Sequence, residues 1–169
     1  MSAFLEDGPT EAGPPEAGLT DAGLTDAAAD VQVVCIRLKG KWPLLLAIPD
    51  QSLSTEEARR VLPAQYSRAD AVMNIQNSML LLAAFTQGRP DVLSQALDDR
   101  IHQPYRAQLC PLLGCLQELQ RKDGILGVAL SGAGPSVLIF LDPRASKSKT
   151  RRLIDSHLAS RRLSAELLS

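Results

Sequence analysis

The chain has 169 residues, of which 45% are hydrophobic and 22% charged, enough to bury one core. Its formal net charge of −1 hides a division: residues 1–30 hold seven acidic side chains and no Lys or Arg, which leaves 18 basic against 12 acidic residues in 31–169. A pure coil is excluded, no apolar stretch is long enough to span a bilayer, and the scattered positive excess of residues 31–169 is too weak to argue for nucleic acid.

Residues 1–30 contain the near-repeats EAGPP, EAGLT, DAGLT and DAAAD, small and acidic, with too few aromatic or β-branched side chains to build a core. They are expected to form a disordered low-complexity tail, with the folded domain at 31–169. Three cysteines, Cys35, Cys110 and Cys115, cannot all pair within one chain, and neither they nor the isolated His102 and His157 have metal-ligand spacing. Free thiols and the lack of a basic or apolar leader point to the cytoplasm.

From Val31 the texture changes. VQVVCIRL and, after Gly40-Lys41, PLLLAIP read as strands near 31–38 and 44–48. Ser54-Thr55-Glu56-Glu57 has the spacing of a capping box and opens a short helix ending near Leu62-Pro63. A longer helix is predicted from Ser67 to Gln87, with Ala69, Val72, Met73, Gln76, Met79, Leu80 and Ala83 as its core face and Gly88 and Pro90 as its stop. Further helices are expected over Asp91–Ile101 and Pro111–Lys122. Strands follow near 125–130 and 137–141, and after Pro143 comes a basic amphipathic helix within 144–162 that covers the sheet.

Between the last two strands lies Ser131-Gly132-Ala133-Gly134-Pro135-Ser136. Gly132 and Gly134 are free to take positive φ and leave the backbone bare, so that consecutive N–H groups converge on an anion such as a phosphate. A tight turn between buried strands needs the same residues, so the loop alone fits either role. Two other segments are rich in polar groups: Ser54–Arg59 and Asp98–Arg106. Their arginines, Arg59 and Arg106, suit a carboxylate clamp, because a guanidinium donates two parallel hydrogen bonds, although salt bridges to Glu57 or Asp99 would use them equally well. No nucleophile triad is suggested by spacing, and no catalytic residue is assigned.

Taken together and in order, LLLAIPD at 44–50, STEEARRVLP at 54–63, YSRADAV at 66–72, DRIHQPYR at 99–106 and GVALSGAGPSVLIFL at 127–141 resemble the C-terminal half of the homoserine kinases, members of the GHMP small-molecule kinase family. The resemblance implies an α+β fold, a small, mainly antiparallel sheet with helices packed on one face. It implies that Arg59 and Arg106 hold the α-carboxylate of L-homoserine, with Thr55 a nearby polar contact, and that residues 131–136 lie beside the phosphate site. The implied reaction moves the γ-phosphoryl of Mg-ATP to the homoserine hydroxyl, yielding ADP and O-phosphohomoserine on the way to threonine.

The family's Pro-x-x-x-Gly-Leu-Gly-Ser-Ser ATP loop and its magnesium-placing residues are not found in this sequence. ATP and Mg2+ are therefore implied by the family while their main binding residues are absent, and the chain alone is expected to be inactive. The implied partners are L-homoserine and a separate N-terminal half or a second copy; the alternative is a non-catalytic homoserine-binding module that regulates a full-length kinase. An exposed apolar patch is expected beside the glycine loop, where the family's other domain would sit.

Overall fold

A computed structural model describes residues 33–169 of the chain, so the expected tail over 1–30 lies outside the described residues. Residues Ile36–Ser169 form one unit built around four strands: β1 (Leu44–Ile48), β2 (Ile125–Leu130), β3 (Val137–Leu141) and β4 (Glu166–Leu168). Every pairing is antiparallel and the order is β2-β3-β1-β4, with Leu45 opposite Ile139 and Ala47 opposite both Val137 and Leu167. Six helices accompany the sheet: α1 (Thr55–Arg60), α2 (Arg68–Gln87), α3 (Leu93–Ala96), α4 (Gln103–Arg106), α5 (Pro111–Gln117) and α6 (Lys147–Ser160). The α+β class read from the sequence is the observed one.

Strand alternation decides which side chains meet. Val137, Ile139 and Leu141 of β3 point to one face with Leu45 and Ala47, where Leu112, Leu113 and Leu116 of α5 and Ile154 and Leu158 of α6 close the main core. The basic helix within 144–162 thus spends its apolar face on the sheet, as its spacing predicts. Phe140 and Leu138 point the other way and meet a smaller cluster containing Ala84, Phe85 and Leu93, so the sheet is partly covered on that side too. Phe85 anchors this cluster edge-on to Trp42, with ring centroids 4.8 Å apart.

The capping box forms as its spacing requires. The Ser54 hydroxyl accepts from the Glu57 N–H at 3.1 Å while the Glu57 carboxylate accepts from the Ser54 N–H at 3.0 Å. The bond to the Ser54 hydroxyl, then that to its backbone, holds the Glu57 carboxyl below its ordinary value. Because the folded state depresses this pKa, the stabilisation is present above the unfolded value and is lost as pH falls through the folded one. Ser54→Ala is expected to cost about 1 kcal/mol at neutral pH. Glu57→Gln should flatten the acid side of the stability curve, which urea unfolding across the acid range would read.

Several expectations are corrected. No strand forms among the described residues at 33–38; these residues lack regular structure and Val33, Val34, Ile36 and Leu38 are exposed. The edge of β1 not paired with β3 is taken by β4, a three-residue strand too short to show any alternation in the sequence. The helix expected over 91–101 ends at Ala96, because Asp99 draws the next turn to itself by accepting the N–H groups of Ile101, His102 and Gln103. The helix starting at Pro111 regularly extends only to Gln117 and continues in turns to Gly124. The core face assigned to α2 is also wrong. Asn77 and Ala84 are its buried residues, whereas Val72, Met73 and Met79 are exposed, since three- and four-residue steps define a stripe without saying which side the protein covers.

Candidate anion-binding site

A cavity of about 340 Å³ opens where α2, the 98–106 segment and the glycine loop converge. Its polar lining includes Asn74, Asn77, Asp99, His102, Gln103 and Arg106, with the Gly132 backbone at the rim. Each group is held by local chemistry. The Asn77 amide donates to the Asp98 carbonyl at 2.8 Å and the Asn74 side-chain oxygen accepts from the Arg100 N–H at 2.9 Å, which ties the 98–100 turn to α2. Asp99 then orders the start of α4 through the three backbone bonds noted above.

Gln103 is buried and used at both ends. Its Nε2 donates to the Leu97 carbonyl at 2.9 Å and its Oε1 accepts from the Leu130 N–H at 3.1 Å, at the point where β2 runs into the glycine loop. The Ser131 N–H donates to the Ser136 carbonyl at 2.9 Å and closes the base of the loop, and the Gly134 N–H turns inward to the Ser131 carbonyl at 3.1 Å. Gly132 and Gly134 both adopt positive φ, 61° and 92°. The N–H groups of Gly132, Ala133 and Ser136 have no hydrogen-bond partner among the described residues. The loop is therefore a hairpin turn that keeps three donors unspent, so the two readings open in the sequence are compatible.

Arg106 joins the motifs. Its Nε donates to the Ala58 carbonyl of α1 at 3.1 Å and its Nη1 to the Gly132 carbonyl at 3.3 Å, leaving the Nη2 donors without a partner among the described residues. The salt bridges that were the plain alternative do not form: Glu57 is spent on Ser54 and Asp99 on backbone N–H groups. Arg106 thus brings α1 to the glycine loop, and Arg59 follows Ala58 directly in that helix. Arg59 and Thr55 themselves are exposed, outside the lining of the cavity, with no side-chain hydrogen bond among the described residues.

Burial pushes the Tyr66 phenol up, as do Tyr105 and Asp99, and its ring packs edge-on against Tyr105 at 5.9 Å. Burial also raises the Cys110 and Cys115 thiols, so both are neutral packing groups, consistent with free thiols; Cys35 is exposed. No cluster of three His, Cys, Asp or Glu side chains suited to a metal ion occurs among the described residues, and no described helix is long and apolar enough to cross a membrane. The sequence reading missed Asn74, Asn77 and Gln103. Their signal was polar residues on an otherwise apolar helix, and a glutamine between two motif positions.

Beside the loop the cavity has a mixed lining, with apolar Leu81, Leu97, Ala129 and Leu130 among its polar groups.

Residues 81–159 match the family of GHMP kinases C terminal, and this part of the chain is a GHMP kinase C-terminal domain. Curated relatives of the chain include homoserine kinases. The chain is 47% identical to that of Solibacter usitatus over 111 residues, 66% of this chain and 36% of that protein. It is 44% identical to that of Deinococcus radiodurans over 121 residues, 72% of this chain and 39% of that protein. The crystal structure of homoserine kinase from Cytophaga hutchinsonii superposes with a TM-score of 0.72 at 20% identity, covering 85% of this chain and 45% of that one, a likeness of fold. The chain thus spans well under half the length of the relatives it matches.

Proposed function

We propose that this chain is the C-terminal half of a homoserine kinase, a cytoplasmic enzyme of threonine biosynthesis. Arg59 and Arg106 would hold the α-carboxylate of L-homoserine, with Thr55 beside them and residues 131–136 at the phosphates. One observation carries the reading. Arg106 has no carboxylate partner among the described residues, is fixed by two backbone carbonyls, and lines the cavity between the motif segments.

For a nucleotide, the described residues offer the N–H groups of Gly132, Ala133 and Ser136, which fit a phosphate oxygen; they offer no carboxylate cluster for magnesium. When bound, Mg-ATP supplies the phosphoryl group. This chain's own part is to orient the acceptor amino acid and to neutralise charge at the loop. Since phosphoryl transfer depends on positioning and on a complete nucleotide cradle, binding of homoserine without turnover is the expected behaviour of the chain alone.

Calorimetry with L-homoserine, followed by a coupled assay with Mg-ATP, tests this. Saturable homoserine binding, and turnover restored by adding the N-terminal part of a relative, support the split kinase. Binding that never yields turnover with that part present supports the regulatory module. Absence of homoserine binding rejects both.

A further inference from the structure

We propose that a second cavity bordering the glycine loop is a site for a small apolar amino acid, held as a zwitterion between Asp50 and Arg162, and that its occupancy stiffens the loop. This cavity measures about 200 Å³ and shares no lining residue with the one that contains Arg106. Its apolar walls are Pro49, Leu109, Pro111, Leu112, Pro135 and Leu163, gathered from the end of β1, the start of α5, the loop and the turn after α6. It falls below the roughly 300–1,000 Å³ of sites for drug-sized ligands, so its occupant is smaller than a nucleotide.

Charge defines the ligand. Asp50 accepts the Ser164 hydroxyl on Oδ2 at 3.0 Å, while its Oδ1 and the Arg162 guanidinium have no partner among the described residues, although both side chains line the one cavity. The turn that carries Arg162 is fixed, because its N–H donates to the Ala159 carbonyl and the Leu163 N–H to the Leu158 carbonyl, both at 3.0 Å. A carboxylate alone would satisfy Arg162 and be repelled by Asp50; an ammonium alone would have the opposite fault. A ligand with both groups answers each charge with its complement, through two charge-assisted hydrogen bonds. Its apolar body leaves water for the prolines and leucines of the wall. An α-amino acid with a short aliphatic side chain has this design.

The cavity meets the loop at two places. Pro135 lies in its wall, and Cys110, which also lines it, packs so closely on Gly134 that a Cβ there would stand 2.9 Å from the Sγ. A molecule seated against Pro135 and Cys110 therefore bears on the two neighbours of Gly134, and close-packed atoms pass such a constraint on. Gly134 in turn closes the turn through its bond to the Ser131 carbonyl at 3.1 Å. The unspent N–H groups of Gly132 and Ala133 lie inside that turn and that of Ser136 follows Pro135, so occupancy of the second cavity orders the segment that presents all three.

This site does not depend on the kinase reading, and its test uses L-valine rather than homoserine. Nuclear magnetic resonance titration of the full, isotope-labelled chain, with reductant because Cys35 is exposed, is expected to show saturable shifts at the Gln51, Leu112 and Leu163 amides at millimolar L-valine. Hydrogen exchange at the Gly134 amide should slow as the site fills. Arg162→Gln and, separately, Asp50→Asn should each weaken binding by about tenfold or more, the loss of one charge-assisted bond. Both positions are exposed and asparagine keeps an acceptor for the Ser164 hydroxyl, so the far-ultraviolet circular dichroism should not change. Isovalerate, which lacks the ammonium, and isobutylamine, which lacks the carboxylate, should bind weaker by a similar factor. Absence of saturable L-valine binding overturns the proposal, as does binding that both variants leave intact or that either truncated ligand matches. Binding that leaves exchange at Gly134 unchanged overturns the link to the loop.

Discussion

Arg106→Met is expected to lower the affinity for L-homoserine by about 10- to 100-fold, the loss that follows from removing a charge-assisted hydrogen bond of about 1.5–3 kcal/mol. The argument starts from what the guanidinium already does. Two of its donors are spent on the carbonyls of Ala58 and Gly132, which fixes the plane of the group, and the Nη2 donors have no protein partner among the described residues. A ligand carboxylate would meet a cation that is already oriented, so little side-chain entropy is lost on binding. Methionine keeps much of the stem and removes every donor. It should also leave the Ala58 and Gly132 carbonyls without their bonds, with a stability loss of about 1–3 kcal/mol.

Arg106→Lys separates the two effects. It keeps the charge but has a single nitrogen that cannot serve both carbonyls and a carboxylate, so weakened homoserine binding with intermediate stability is expected. Arg59→Met, at an exposed position, should weaken binding without a measurable change in stability. Calorimetry and urea unfolding on the three variants read these outcomes. Unchanged homoserine affinity in Arg106→Met would remove the carboxylate assignment while leaving the tether between α1 and the loop in place.

What the sequence discloses follows from the range of each signal. The Ser54 capping box is complete within four residues and forms as read, as does the stop of α2 at Gly88. The hairpin of β2 and β3 was legible because two apolar runs flank a turn with two glycines. By contrast, the fate of residues 33–38 depended on which strand would take the open edge of β1, and that place went to β4, more than a hundred residues later. The buried side of α2 likewise depended on a partner far along the chain, since Asn77 is buried for its bond to the Asp98 carbonyl.

The candidate site divides in the same way. Arg106 and the glycine loop were named from residue type and segment, and the fold brings them within hydrogen-bond distance. Gln103 and Asn74 went unnamed because their role is to fasten backbone to backbone, which has no residue pattern of its own. Asp99 was weighed only as an ion-pair partner. Its carboxylate accepts the N–H groups of Ile101, His102 and Gln103 at the entry to α4, a local preference of aspartate before a helix turn.

Gly134→Ala is expected to lower stability by about 2–4 kcal/mol, the combined effect of two separable causes. Gly134 has φ of +92°, a region that an alanine occupies only with strain. A Cβ built there would also stand 2.9 Å from the Sγ of the buried Cys110, closer than such atoms pack, so one of the two must shift. At about 2–4 °C per kcal/mol for a chain of this size, the midpoint of thermal unfolding should fall by roughly 4–16 °C. A double-mutant cycle with Cys110→Ala distinguishes the two causes. Removing the sulfur relieves the contact but leaves φ as it was, so the penalty of Gly134→Ala should shrink in the Cys110→Ala background by the steric share alone, about 1–2 kcal/mol. An unchanged penalty would assign the whole cost to backbone conformation, and the absence of any penalty in the wild-type background would show that the loop can move away from the core. That second result would also bear on function, because a loop free to shift would not hold the Gly132, Ala133 and Ser136 N–H groups in place to receive an anion.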